Sequence, residues 1–280
     1  MPDPAAVEFA AGPSVRMSLA VATAELRDAG CDTPRLDAEL LLADALGATR
    51  TQLHLAPERE LTLAESDRFA ELLRRRRARE PVAYLLGMRA FRHVELAVDP
   101  RVLVPRPETE LLVEVALGLP RGARVVDVGT GSGAVALALK HERPDLEVIA
   151  TDASEDALAV ARANARALQL AVTFAHGDLL APLDSDQLDA VLSNPPYVAD
   201  RAELPPELAH EPGGALFAGP DGLDVLRRLV PAAAARAPFV AFEVGAGQAG
   251  AVGELLRRAG MRVELHRDLA GIERVVVGRR

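Results

Sequence analysis

Asn194-Pro195-Pro196-Tyr197 places a side-chain amide, two prolines and an aromatic ring in four consecutive positions. The stretch sits just past an apolar run, Leu188 to Leu192, that reads as a buried strand. This set of groups suits the activation of an amide or ring NH2, a poor nucleophile because its lone pair is delocalised. The side-chain carbonyl of Asn194 and the main-chain carbonyl of Pro195 can accept both N–H bonds at once. The nitrogen lone pair is then aimed at an incoming group. The prolines fix φ and remove competing donors, and Tyr197 offers a face on which a flat substrate group can stack. Catalysis of this kind is alignment plus electrostatic preorganisation, without a metal or a covalent intermediate. Out of context the same four residues would be a rigid loop with a surface tyrosine.

The context lies upstream. A second apolar strand, Arg124 to Val128, runs into Gly129-Thr130-Gly131-Ser132-Gly133. Such a turn brings bare backbone and helix N–H groups close to a ligand. It is not the dinucleotide fingerprint, whose third glycine falls one residue later. Asp127 just before it would oppose a pyrophosphate but suits a cationic amino-acid moiety, such as the methionine end of S-adenosylmethionine. Asp152 ends the next strand, where a carboxylate accepts from both ribose hydroxyls; its alternative is a helix N-cap. Asp178 follows the third strand, where it or its neighbouring backbone can read an adenine amino edge, although Gly177-Asp178 is also a plain turn sequence. Both motifs should lie at the carboxyl edge of an open α/β sheet, where such sheets bind ligands. Together they describe a methyl-donor pocket beside a clamp for a planar NH2 group.

The elements that must position these residues can be read from spacing. Ser14 to Ala29 has apolar residues at helical spacing and stops at Gly30. Thr33-Pro34 offers an N-cap and a first-turn proline for a second helix stopping near Gly47. Thr62 to Glu65 is a capping-box pattern for a third, with Phe69, Leu72 and Leu73 on its apolar face. Residues 1–80 therefore predict a helical bundle with a frayed start. Residues 81–106 predict a connector, with Phe91–Val98 and Val102–Val104 as a hairpin turning at Asp99-Pro100-Arg101. From 107 to 280 strands and helices alternate. Strands are expected at 124–128, 147–151, 172–175, 188–192, 239–242, 262–266 and 274–277, a seven-stranded sheet. The short link between the last two requires them to be antiparallel.

Composition narrows the function classes. The 280 residues are 49% hydrophobic and 26% charged, which is globular. Net charge is −9; residues 1–80 carry 11 basic and 14 acidic side chains, leaving 21 and 27 for the remainder. Neither part is a basic platform for a phosphate backbone. The lone cysteine, Cys31, cannot form an internal disulfide and reads as a packed free thiol in a reducing compartment. No secretory signal or membrane span is visible, so a soluble cytoplasmic protein is expected. The six histidines lack metal-ligand spacing. The Arg74–Arg77 run reads as a solvated helix face.

These residues resemble the class I S-adenosylmethionine-dependent methyltransferases, a Rossmann-like fold. More narrowly, the whole chain resembles the peptide chain release factor glutamine methyltransferase family. Glu80-Pro81-Val82-Ala83-Tyr84-Leu85, Pro105-Arg106-Pro107-Glu108-Thr109-Glu110, Glu211-Pro212 with Ala215-Leu216, and Asp268 with Gly271 and Arg274 all fall in family order. The resemblance implies methyl transfer to the side-chain amide nitrogen of the glutamine in the Gly-Gly-Gln loop of bacterial release factors. It implies that Gly129, Thr130, Gly131, Ser132, Gly133 and Asp152 hold the cofactor, with Asp178 and Leu179 near the adenine. Asn194 would bridge cofactor and substrate, and Pro195, Pro196 and Tyr197 would complete the glutamine pocket. Leu179 departs from members that carry an aromatic residue there. The helical domain would hold the release factor. Two other readings share the chemistry: a glutamine methyltransferase for a ribosomal protein, and a nucleic-acid amino methyltransferase acting on adenine or guanine. The negative charge of both parts counts against the latter.

Overall fold

The structure, a computed structural model, describes residues 12–183 and 187–280. The expected fraying of the N-terminus falls outside the described residues. The chain divides into two compact units with the boundary between Leu86 and Gly87.

The first unit is helical: α1 (Val15–Asp28), α2 (Pro34–Ala45), α3 (Arg50–Leu55), α4 (Leu63–Arg77) and α5 (Val82–Leu86). Ser14 caps α1 through its side chain, and Thr62 and Glu65 form the expected capping box on α4. A further capping box, Thr49 with Gln52, starts the short α3, which periodicity alone does not reveal. Thr33 precedes α2 but makes no side-chain cap; its hydroxyl donates to Asp37 instead, at 2.7 Å. The core gathers Leu19, Ala22, Leu26, Leu41, Leu42, Phe69 and Leu72, together with Cys31.

The Arg74–Arg77 run corrects the expectation of a uniformly solvated face. Phe69, Leu72, Leu73 and Arg76 are spaced as one helix face, so Arg76 is carried inward. It is buried and pairs with buried Asp37 at 2.8 Å. A guanidinium in that position requires such a partner. Its neighbours pair on the surface: Arg74 with Glu71, Arg75 with Glu80 and Arg77 with Glu25.

The second unit begins with a hairpin, β1 (Met88–Phe91) and β2 (Val94–Ala97). The chain reverses at Arg92-His93, not at Asp99-Pro100-Arg101 as expected. Arg92 takes a positive φ of 48°, and its amide is held by the Glu110 carboxylate at 3.0 Å. The Asp99 segment is instead a closed local turn, in which Asp99 accepts from both the amide and the guanidinium of Arg101. Val102 and Val104 are buried outside any strand, and the Val104 amide donates to the Glu211 side chain at 3.0 Å. A side chain thus satisfies the donor that a strand partner would have taken.

The rest is α6 (Glu110–Ala116), β3 (Arg124–Val128), α7 (Ala134–Glu142), β4 (Glu147–Asp152), α8 (Glu155–Ala167), β5 (Thr173–His176), β6 (Ala190–Ser193), α9 (Asp224–Arg236), β7 (Phe239–Glu243), α10 (Ala249–Arg258), β8 (Arg262–Arg267) and β9 (Glu273–Arg279). The seven strands from β3 to β9 form one sheet in the order β5-β4-β3-β6-β7-β9-β8. Pairings are parallel through β7, and β9 runs antiparallel to both β7 and β8, as the short final link requires. Helices on the two faces bury separate apolar clusters, one around Leu112, Leu137 and Leu139 and one around Leu226, Leu229 and Val252. Asn164 on α8 ties the hairpin to this sheet by exchanging bonds with the Ala97 backbone.

Candidate active site

Register alone brings the two motifs together. The chain leaves β3 toward β4 and β5 on one side and returns to β6 on the other, so the β3/β6 junction is the topological switch point. Val128 pairs with both Thr151 and Ser193, and Ser193 pairs with Phe242. One residue further along each parallel strand lie Asp152, Gly129, Asn194 and Glu243, in a row across the carboxyl edge. The buried Ser193 hydroxyl donates to the Val128 carbonyl at 2.7 Å, which locks the ends of β3 and β6 together.

Beside this row is a cleft of about 450 Å³ lined by Gly129, Gly131, Asp152, Asp178, Leu179, Asn194, Pro195 and Pro196, with Arg101 to Leu103, Pro212 and Ala215 on its walls. Three residues of the expected cofactor turn lie behind the lining. The Thr130 hydroxyl donates to Asp127 at 2.6 Å. The Ser132 carbonyl accepts from Asn164 at 2.9 Å. Gly133 starts α7 at φ 86°, where an added Cβ would lie 2.8 Å from Leu137 and 3.3 Å from Ala161. Gly129 and Gly131 also have positive φ, but a Cβ on either would meet no atom within 4 Å. Their inner face is open, as a cradle for a ligand must be.

Asp152 is not the helix cap. Ser154 caps α8, accepting from Ala157 at 3.2 Å. The Asp152 carboxylate receives Gly131 N–H and Ser154 N–H at 2.9 Å each and borders the cleft. Two donors fix its orientation, and a carboxylate has further lone pairs for hydroxyls. Asp127 faces inward, where its carboxylate accepts from Thr130 and from the Ala136 amide, and burial pushes it up to about 6. It braces the turn from behind and is not part of the cleft wall. Asp178 reaches the cleft margin while pairing with Arg228. Leu179 lines the cleft at φ 50°, its carbonyl anchored by the Thr151 hydroxyl at 2.9 Å.

The Asn194 side-chain NH2 donates to the buried Thr109 hydroxyl at 3.0 Å, which commits the donor end of the amide, and among the described residues its oxygen is left as a free acceptor. Tyr197 lies outside the cleft lining. Its hydroxyl donates to Glu243 at 3.3 Å, and its ring approaches Gly245, where a Cβ would lie 3.2 Å away. Burial, then the Glu243 charge, raises the Tyr197 phenol above its ordinary range. Glu243 is pushed from 4.5 to about 7, chiefly by burial, against hydrogen bonds from Thr109 and Tyr197.

Those shifts carry a pH dependence. A Glu243 pKa raised by folding means the protonated carboxyl is favoured in the fold. Its contribution is present below pH 4.5 and is lost as pH rises through about 7. Glu243→Gln cannot ionise, so its melting temperature relative to the wild type should be more favourable at pH 8 than at pH 5. A difference independent of pH would show that Glu243 keeps its charge in the fold.

Sequence reasoning did not assign roles to Thr109, Glu243, Arg106 or Glu211. The first, third and fourth lie in segments whose family order was legible, but a role behind Asn194 depends on register. Arg106 pairs with the buried Glu211 at 2.5 Å, tying the segment before α6 to the wall residue Pro212. Among the described residues no group of three or more His, Cys, Asp or Glu is placed to hold a metal ion. No helix there is long and apolar enough to cross a membrane.

A sheet in this order, with a glycine turn, an acidic strand end and a polar-Pro-Pro-aromatic loop around its switch point, defines a class I methyltransferase fold. Solved structures agree on the fold: a methyltransferase from Pyrococcus furiosus superposes with a TM-score of 0.52 at 18% identity, over 76% of this chain and 98% of that one. A 16S rRNA N2 methyltransferase from T. thermophilus, solved with AdoMet and guanosine, gives 0.50 at 21% identity over 69% and 50%. Residues 18–87 match the PrmC N-terminal domain, and residues 107–212 match the methyltransferase small domain. Release factor glutamine methyltransferases from Deinococcus radiodurans and Moorella thermoacetica are 46% and 43% identical to this chain. The alignments span 95% and 88% of this chain and 98% and 91% of those relatives. The chain belongs to the release factor glutamine methyltransferase family.

Proposed function

We propose that this protein transfers a methyl group from S-adenosylmethionine to the side-chain amide nitrogen of the glutamine in the Gly-Gly-Gln loop of peptide chain release factors. The products are N5-methylglutamine and S-adenosylhomocysteine. The observation that carries the reading is the juxtaposition of the open Gly129–Gly131 turn and the oriented Asn194 amide at one switch point.

Gly129, Gly131 and Asp152 would hold the cofactor, with Asp178 and Leu179 on the adenine side. Thr130, Ser132 and Gly133 set the shape of the turn. When bound, the cofactor supplies an electrophilic methyl group on a sulfonium centre. The protein's own contribution is positional. Asn194 offers its oxygen, and Pro195 its main-chain carbonyl, to the two amide hydrogens of the substrate. Two acceptors in fixed places favour the rotamer in which the nitrogen lone pair faces the cleft, an entropic and electrostatic advantage. Pro196 stiffens the loop, and Tyr197, held by Glu243, walls the glutamine subsite. The helical N-terminal part binds the release factor, so the substrate is a folded protein. A site in the cytoplasm, where release factors act, follows from that partner.

The test is a competition. Labelled S-adenosylmethionine is supplied with purified release factor, ribosomal protein and RNA together. Label on the factor is expected; label on RNA or on the ribosomal protein in its place would overturn the assignment.

A further inference from the structure

We propose that Gln248 is a positioning residue whose side-chain amide pins the main-chain carbonyl of Tyr197 and so fixes the far end of the Asn-Pro-Pro-Tyr loop. The inference rests on the glutamine-aligning role given to that loop above.

The loop has an anchoring problem that follows from its composition. Pro195 and Pro196 carry no N–H, so the backbone between Asn194 and Tyr197 cannot be held by its own donors. It must be held at its ends. At the near end the Ser193 hydroxyl bonds the Val128 carbonyl, and the Asn194 NH2 bonds Thr109. Beyond the far end the Val198 amide donates to the Leu216 carbonyl at 2.8 Å, and its carbonyl accepts from Ala218 at 2.9 Å. Tyr197 lies between these anchors. Its carbonyl accepts from Gln248 Nε2 at 3.0 Å. Both proline φ angles are fixed by their rings, so pinning the Tyr197 peptide leaves the Pro195 carbonyl little freedom.

Gln248 stands just ahead of α10 and is half-buried. Its Oε1 accepts from the Gly245 amide at 2.9 Å, and its Nε2 also donates to the Asp221 carbonyl at 3.3 Å. All three partners are backbone groups of fixed polarity. A flipped amide would set NH2 against N–H and its oxygen against two carbonyls, so one orientation is specified. The surroundings leave no slack. A Cβ on Gly222 would lie 2.2 Å from the Tyr197 carbonyl oxygen and 2.9 Å from Gln248 Nε2. A Cβ on Gly245 would lie 2.9 Å from Gln248 Oε1 and 3.2 Å from the Tyr197 ring. One side chain thus joins the Tyr197 carbonyl to the turn at Asp221-Gly222 and to the turn after β7. Gln248 does not line the cleft, so its effect on the reaction passes through Tyr197.

The test compares Gln248→Leu and Gln248→Glu in the full chain. The glutamate keeps the shape and an acceptor for Gly245 but replaces both donors with a carboxylate oxygen. Each variant should lower kcat on release factor about tenfold, the scale for one hydrogen bond lost from an aligned site. Affinity for S-adenosylmethionine, measured by calorimetry, should change less than twofold. A readout independent of turnover comes from the tyrosine signal. The chain has two tyrosines and no tryptophan, so in a Tyr84→Phe background Tyr197 is the sole tyrosine. Its near-ultraviolet circular dichroism band should weaken in both variants without any ligand. Wild-type turnover in Gln248→Glu would assign the residue to bracing Gly245 and overturn the pin. So would an unchanged tyrosine band in Gln248→Leu, or a loss of cofactor affinity as large as the loss of kcat. Asn194→Ala measured alongside separates the two levels. If it is slow while both Gln248 variants are not, only the pin is wrong; if all three keep wild-type turnover, the aligning role of the loop is wrong as well.

Discussion

Asn194→Ala should lower turnover on release factor by roughly 10²-fold or more, the scale for removing one preorganised polar group from an active site. The effect should fall on kcat, because the carbonyl of Asn194 acts on the orientation of the reacting nitrogen. The variant should remain folded. Asn194 is half-buried at a strand end, and its one side-chain bond among the described residues, at 3.0 Å, goes to Thr109. Single-turnover rates at saturating cofactor give the cleanest measurement. Near-wild-type turnover with normal cofactor binding would remove Asn194 from the mechanism and with it the aligned-acceptor account.

Asp152→Ala should act on a different quantity. Its carboxylate is already oriented by Gly131 and Ser154 and faces the cleft with lone pairs to spare. Two charge-assisted bonds to ribose hydroxyls would vanish together, so S-adenosylmethionine affinity should weaken by roughly 10²-fold. Turnover at saturating cofactor should change far less. Part of the loss would come from the glycine turn, since Gly131 N–H loses its acceptor. Asp152→Asn separates the contributions, because it preserves shape and one acceptor while removing charge. Calorimetry showing unchanged affinity in the alanine variant would confine Asp152 to bracing Gly131.

Much of this molecule was legible before any coordinates. Strand-and-helix alternation after residue 107 gives a seven-stranded sheet because buried parallel strands are short apolar runs that turns interrupt. The two chemical motifs are local in sequence, so they can be read one at a time. Their adjacency was anticipated because both follow strands of one open sheet. Pairwise support was not legible. Thr109, ahead of α6, accepts from Asn194, and Glu243 stands one strand from Asn194 through the β6/β7 register. The hairpin was misplaced for a related reason. Asp99-Pro100-Arg101 has strong turn residues, but alternation of Val102 and Val104 signals burial, not strand pairing, and the real reversal uses Arg92, whose type gives no sign of a positive φ. Arg76 shows the same limit: composition says solvated, whereas helical spacing places it on the buried face opposite Asp37.

The most direct measurement is methyl transfer from labelled S-adenosylmethionine to purified release factor, beside a factor whose Gly-Gly-Gln glutamine is replaced. Label on the wild-type factor and none on the replaced one is the predicted result. Equal label on both would place the methyl group elsewhere on the factor and contradict an active site built to align a glutamine amide.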